Sequence, residues 1–448
     1  MAIDFVSDPA ALEDVLEAAL AASKADETEA LAFASESALT RYTHNYIHEN
    51  MVERNWQLSV RAIVGKRIGV AGTNRLDPEN VKLTAQRAVE IARLAPEDPD
   101  FPGLPADTSA GEVAPAPYDD ETARCAPETR AHAVEQIVNA MRNHKLYAAG
   151  YVSTRSDAVA IANSKGVRRS FNATDSAINI KAIGETSSGY AEGYARRFAD
   201  LSPTELADRA ARKAVDSKAP VALEPGEYTV ILEPPAFREF LIYLTWIGFG
   251  AQPFEQGSSF MSGKLGQKIA GDNVTISDHF AHPIGAGIPF DFEGTPRRQV
   301  TLVEAGVARD VVYDSYYAAK LKHANTGHAL PAPNTDGPMP LNVVVSAGTR
   351  AVPELIRSVD RGVLVTRTWY IRLVDQKQTL ITGMTRDGLF LIQRGEVTHG
   401  LKNMRFNESI LGALNRCELS RELVRSESHV LPAAKIEGFH FTSGTEFG

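Results

Sequence analysis

The chain carries eleven histidines, and histidines are the first residues to test for chemistry, because neutral imidazoles at fixed spacing are the commonest protein ligands for zinc. His44 and His48 give an H-x-x-x-H spacing followed by Glu49. A zinc hydrolase of the H-E-x-x-H type needs Glu directly after the first His, as general base toward metal-bound water, and Asn45 stands there instead. The pair also falls between two expected strands, so surface or strand-edge histidines are expected. His279 and His282 lie in the loop Asp278-His279-Phe280-Ala281-His282-Pro283, and His323 and His328 bracket Ala324-Asn325-Thr326-Gly327. With Asp278 these four are the alternative ligand set for a metal site assembled from loops, against turn-forming or core-satisfied roles for each. Cys125 and Cys417 are far apart and lack CxxC spacing, which argues against a disulfide framework and against a thiolate zinc site. There is no G-x-S-x-G elbow, P-loop or dinucleotide fingerprint, and Gly248-Phe249-Gly250 reads as a helix stop.

The frame that must hold such residues is large. At 448 residues, 44% apolar and 23% charged, the chain has the composition of an ordinary globular protein of two or three packed units. The formal charge of −9 repels a phosphate backbone, and Arg168-Arg169, Arg196-Arg197 and Arg297-Arg298 are isolated basic pairs, so nucleic-acid binding is not expected. Met1 to Phe5 shows no basic-then-apolar leader and no run approaches the length that spans a bilayer, so the expectation is a cytoplasmic protein without membrane contact.

Asp8 and Pro9 open a first helix with Leu12, Val15, Leu16 and Ala19 on one face. Strands follow at Ala30–Ser35, Trp56–Val64 and Ile68–Gly72, and Asp77-Pro78-Glu79 starts a helix to about Leu94. Six prolines between Ala95 and Tyr118 mark a linker or extended surface crossing. A helix from about Pro127 to His144 leads into strands near Tyr151, Ala158–Asn163 and Ile178–Ile183, with a turn at Asn163–Gly166, and Ser202-Pro203 caps another helix. The stretch Asp77-Pro78-Glu79-Asn80-Val81 with Ala85 and Arg87 aligns with Ser202-Pro203-Thr204-Glu205-Leu206 with Ala210 and Arg212. The expected fold class is therefore α+β: an N-terminal region built from two similar helix-strand-strand-helix units, followed by a β-rich C-terminal domain. The expected boundaries are an N-terminal α+β domain over 1–97, a Pro-rich linker over 98–118, a central α+β domain over 119–222 and the β-rich unit over 223–448. That last unit opens with a strand at Tyr228–Leu232 and one long apolar helix from about Pro235 to Phe249.

An ordered series of segments resembles the TldD/PmbA family over nearly the whole chain. Ser59 to Asn74 is similar to its N-terminal strand pair, Asn163-Ser164-Lys165-Gly166 to its central turn, and Ser258 to Gly266 to the stretch after its metal-binding helix. Asp291-Phe292-Glu293-Gly294-Thr295, Thr326-Gly327-His328, Asn342, Gly383 to Ile392 and Phe439 to Thr445 continue the match.

In that family the TldD subunit holds zinc through H-E-x-x-x-H on a helix plus a Cys near the C-terminus. Counting back from Gly263, those helix positions fall at Ile242, Tyr243 and Ile247, and Leu423 to Ser428 offers no Cys. The resemblance thus implies the PmbA or TldE side: no metal in this chain, zinc in a TldD-like partner, and a non-catalytic role in an intracellular metallopeptidase complex acting on small or unfolded peptides. It leaves open a TldD-like heterodimer or a homodimer. An active hydrolase with relocated ligands and a regulatory binding protein, as the family's historical gyrase-modulator label suggests, are the alternatives. Leu241, Ile242, Leu244, Trp246, Ile247 and Phe249 are expected to bury against the β-rich domain or a partner. For a cleft the sequence nominates Thr382, Gly383, Arg386 and Asp387, read as a polar turn.

Overall fold

The computed structural model describes residues 9–107 and 118–445, so the Asp8 cap and the middle of the Pro-rich crossing lie outside the described residues. Helix α1 (Pro9–Ala22) precedes β1 (Glu27–Thr43), β2 (Tyr46–Val64), β3 (Arg67–Thr73) and α2 (Pro78–Leu94). After a short α3 (Asp120–Ala123), α4 (Pro127–Asn143) precedes β4 (Tyr147–Asn163), β5 (Arg168–Ile183), β6 (Ser188–Ala195) and α5 (Pro203–Asp216). Each unit is helix, three strands, helix: one strand more than the block read from the sequence.

The six strands form one antiparallel sheet in the order β3-β2-β1-β4-β5-β6, and β1 meets β4 at its centre with Phe33 opposite Val159. Period-two alternation sends Ala158, Ala160 and Ala162 of β4 toward α1 and α2, and Ala148 and Val152 toward α4 and α5. These are all even-numbered positions, so the four long helices share one face of the sheet. Glycines let them approach closely. A Cβ on Gly69 would stand 2.2 Å from the Ala88 carbonyl oxygen of α2, and one on Gly189 2.1 Å from the Ala210 carbonyl oxygen of α5. The expected caps hold both helices: Asp77 Oδ1 accepts from the Asn80 amide at 3.1 Å, and Ser202 Oγ from the Glu205 amide at 3.4 Å.

The C-terminal unit begins with β7 (Gly226–Leu232) and α6 (Pro234–Gly248). Its strands continue as β8 (Ile276–Asp278), β9 (Val300–Glu304), β10 (Val307–Ala308) and β11 (Val343–Val345), and then as β12 (Arg361–Asp375), β13 (Leu380–Gln393), β14 (Glu396–Gly400) and β15 (Met404–Ser409). The last are β16 (Cys417–Leu419), β17 (Val424–Ser426), β18 (His429–Leu431) and β19 (Ala434–Gly444). One sheet runs β10-β9-β8-β11-β18-β17. In the other, β12-β7-β19-β15-β13 closes on itself because β13 also pairs with β12. Phe240 of α6 packs over this ring against Phe406 and Phe439, each at 6.3 Å between centroids.

The helix-free face of the first sheet receives the C-terminal unit. Leu31, Val159 and Ile161 bury against Phe290, and Arg61 of β2 donates to Glu29 at 2.7 Å and to Glu293 at 3.1 Å.

Candidate functional site

Helix α6 forms because Pro234 and Pro235 preset its first turn and apolar side chains occupy almost every other position. It ends at Gly248, where a Cβ would lie 2.1 Å from the Phe260 ring. Leu241, Leu244, Ile247 and Phe249 are buried as expected, and Ile242 is half-buried. Trp246 departs from the expectation, standing 55% exposed on the outer side of the helix. The phenol of Tyr243 donates to the Ile371 carbonyl at 2.8 Å, and burial pushes it above its ordinary pKa. Positions 242, 243 and 247 therefore carry two alkyl groups and a neutral, already bonded phenol. This donor set does not fit zinc, which needs imidazole, thiolate or carboxylate.

One turn earlier the helix carries a cation. Arg238 Nη1 donates to Ser426 Oγ at 2.8 Å and to Glu192 Oε1 at 3.1 Å, while Nη2 reaches Glu239 at 3.3 Å. Ser426 in turn donates to Glu192, and Tyr190 donates to the other Glu192 oxygen at 2.5 Å. Burial opposes the charge of Arg238, but Glu192 and Glu427 hold the guanidinium above its ordinary pKa. Tyr190 and Tyr194 are both raised, by burial and by Glu192. Arg238 thus joins α6, β6 and β17, and β17 lies inside the stretch where the resemblance calls for the missing Cys. Nothing in the sequence pointed to Arg238 beyond its being a lone cation within an apolar helix.

Beside this network, Asp387 is buried with Lys181 Nζ at 2.8 Å, Arg367 at 3.0 Å and Ser188 Oγ at 2.9 Å. Arg367 lies over the Tyr190 ring at 4.3 Å, and Arg386 over Trp369 at 4.9 Å. Of the four nominated cleft residues, Asp387 and Arg386 reach this junction between the sheet and the ring of strands. Thr382 bonds instead to the Phe406 carbonyl at 3.2 Å, and Gly383 packs against the Phe406 ring. The reading of this segment as a turn is corrected, since all four residues belong to β13. The turn chemistry of Arg-Asp-Gly is expressed within the strand, where Asp387 at φ 55° and Gly388 at φ 125° interrupt the pairing with β12.

The four loop histidines do not converge. His279 and His282 are neighbours with rings 5.7 Å apart, His323 stacks on Tyr313 at 4.0 Å, and His328 is buried against Asp278 at 3.1 Å. Burial pushes His328 below its ordinary pKa, leaving a neutral imidazole beside the Asp278 carboxylate. Among the described residues no group of three or more His, Cys, Asp or Glu side chains is arranged to hold a metal ion. Cys417 donates to the Leu414 carbonyl at 3.3 Å, and burial pushes its thiol up to about 12. His44 and His48 are exposed at the β1–β2 turn, as expected for surface histidines. His429 is brought down to about 4 by burial and by Arg238, and its Nδ1 faces Ser428 Oγ at 3.2 Å.

This arrangement has counterparts. PmbA/TldA metallopeptidase domain 1 matches residues 29–92, the central domain residues 115–218 and the C-terminal domain residues 225–443. The chain belongs to the PmbA/TldD family. Among its relatives, the metalloprotease PmbA of Escherichia coli O157:H7 is 24% identical, with 98% of this chain and 99% of that protein covered. The zinc metalloprotease TldD homologue of Saccharolobus solfataricus is 25% identical over 43% of this chain and 44% of that protein. The crystal structure of TldE from Thermococcus kodakarensis shares the fold with a TM-score of 0.87 at 22% identity, covering 96% of this chain and 100% of that one. The PmbA/TldD fold accounts for the two α+β units and the β-rich unit.

Proposed function

We propose that this chain is the non-metal, TldE-like subunit of a TldD/TldE-type metallopeptidase pair that acts on small or unfolded peptides in the cytoplasm. The observation that carries the reading is α6: Ile242, Tyr243 and Ile247 occupy the positions where TldD relatives are expected to keep H-E-x-x-x-H. Water activation then belongs to a zinc-bearing partner, and this chain contributes shape and peptide contacts. The partner is a TldD-like protein rather than a second copy of this chain, because two copies supply no zinc ligands on α6. Trp246 gives such a partner an aromatic anchor on the same helix, in keeping with the enrichment of Trp at interface hot spots.

Co-expression with a zinc-bearing TldD homologue tests this. The expected outcome is a stable complex that hydrolyses short peptides, while this chain alone hydrolyses none. Peptidase activity of the isolated chain, or failure to co-purify with such homologues from its own source, counts against it.

A further inference from the structure

A separate cavity of about 310 Å³ lies where the helix-free face of the first sheet meets the loop around Ala286 and Ile288. That volume is at the lower end of small-ligand sites, roughly 300–1,000 Å³. Its floor is graded along the strands. Phe33, Val159 and Phe171 stand in one cross-strand row, Ser35, Asp157 and Ala173 in the next, where Ala173 leaves space, and Arg155 faces Asp175 in the row beyond. At the polar end Asp157 is paired with Arg155 at 2.7 Å and Asp175 with Arg425, from outside the lining, at 2.7 Å, so each lining acid already holds a cation and Arg196 is the lining cation left over.

Arg196 has no ion-pair partner of its own among the described residues. Its Nε donates to the Gly285 carbonyl at 2.9 Å, and its buried Nη2 has no hydrogen-bond partner. Burial and the neighbouring Arg425 disfavour its charge, and the nearby Asp175, itself bonded to Arg425, offsets this only in part. Arg196 lines the cavity, and a carboxylate there would gain a charge-assisted hydrogen bond from the part of the guanidinium that faces it.

We infer that this cavity binds the free C-terminal carboxylate of a short peptide whose last side chain is aromatic or branched aliphatic. The carboxylate meets Arg196, and the side chain lies over the Phe33–Val159–Phe171 row, filling the space that Ala173 leaves. This deepens the peptide-handling role proposed above and rests on it for the ligand being a peptide. Binding to the isolated chain is a separate readout, independent of zinc, partner or cleavage.

The test is calorimetric titration of the full chain with N-acetyl-Ala-Ala-Phe, with the same peptide as its C-terminal amide, and with 3-phenylpropionate. The acid is expected to bind at least tenfold more tightly than either the amide or phenylpropionate. Arg196→Gln is expected to weaken the acid at least tenfold without changing the amide. Ala173→Leu, which keeps the cation and fills the floor, is expected to weaken acid and amide together, with thermal unfolding confirming that both variants fold. Equal binding of acid and amide, no binding at all, or unchanged affinity in both variants overturns the site. Phenylpropionate binding as tightly as the peptide overturns the peptide assignment. Peptide binding that persists when co-expression yields no complex would defeat the subunit reading and leave this site standing.

Discussion

Arg238 Nη1 donates to Ser426 Oγ at 2.8 Å, a bond that ties the start of α6 to β17. Helix and strand are the two segments at which the resemblance to TldD implies metal donors. Here a protein cation joins them, and the Glu192 carboxylate of β6 completes the bridge at 3.1 Å. The junction is thereby cross-linked through a guanidinium, with hydrogen bonds on both sides of it.

Arg238→Met removes that cation and leaves Glu192, whose side chain is 5% exposed, without its charge partner. Breaking one side of a buried pair costs about 3–5 kcal/mol. The urea midpoint of the variant is expected to fall accordingly, and Arg238→Met with Glu192→Gln to recover part of the loss. A cost below about 1 kcal/mol in the single variant would show that the bridge is not a structural tie.

Gly69→Ala and Gly189→Ala each drive a methyl into the backbone of the helix above, and overpacking of this kind costs typically 1–3 kcal/mol. Gly72→Ala, in the same strand as Gly69, meets the Leu58 carbonyl oxygen at 3.4 Å and Gln57 Nε2 at 4.0 Å, both ordinary contacts, and is expected to stay within about 0.5 kcal/mol. Thermal melting of the three variants checks the contrast.

Asp314 caps the helix Ser315–Leu321, accepting from the Tyr317 amide at 2.8 Å, and burial together with Glu293 pushes its carboxyl up to about 6. An unfolded Asp titrates near about 3.9, so between these values the folded state holds the extra proton. Stability from this group is present below about pH 4 and is lost as pH rises through 6, at up to about 1.4 kcal/mol per pH unit. Asp314→Asn caps equally well and does not titrate. Urea unfolding at pH 4.5, 5.5 and 6.5 is expected to show a steeper decline for the parent than for the variant. Parallel declines would contradict this.

Trp246→Asp places a charge on the exposed side of α6 and leaves the buried side unchanged. In the proposed complex it is expected to weaken association by about 2 kcal/mol or more, near thirtyfold in Kd, with the melting temperature of the isolated chain preserved. Sedimentation with the co-expressed partner reads the first effect and calorimetry the second.

The helix starts were legible because Asp77-Pro78 and Ser202-Pro203 cap by local chemistry that needs no tertiary context. The far halves of β1 and β2 were not. Between Tyr46 and Asn55 β2 is exposed on both faces, and opposite it β1 buries Ala38, Thr40 and Tyr42, a small, a polar and an aromatic residue that make a weak apolar alternation to read. Strand β6, Ser-Gly-Tyr-Ala-Glu-Gly-Tyr-Ala, is masked by small residues for a different reason: α5 packs onto its glycine. At the site, the aliphatic and phenolic side chains at Ile242, Tyr243 and Ile247 were visible in the sequence. The network of Arg238, Ser426 and Glu192 was not, because those three residues lie on separate elements and meet only through the fold.

Zinc analysis tests the central claim most directly. This chain, purified alone and dialysed against buffer containing equimolar zinc, and the same chain co-purified with a TldD-like partner, are measured by atomic emission. The account predicts zinc at one per heterodimer in the complex and a negligible amount in the isolated chain. One tightly held zinc per isolated chain would contradict it.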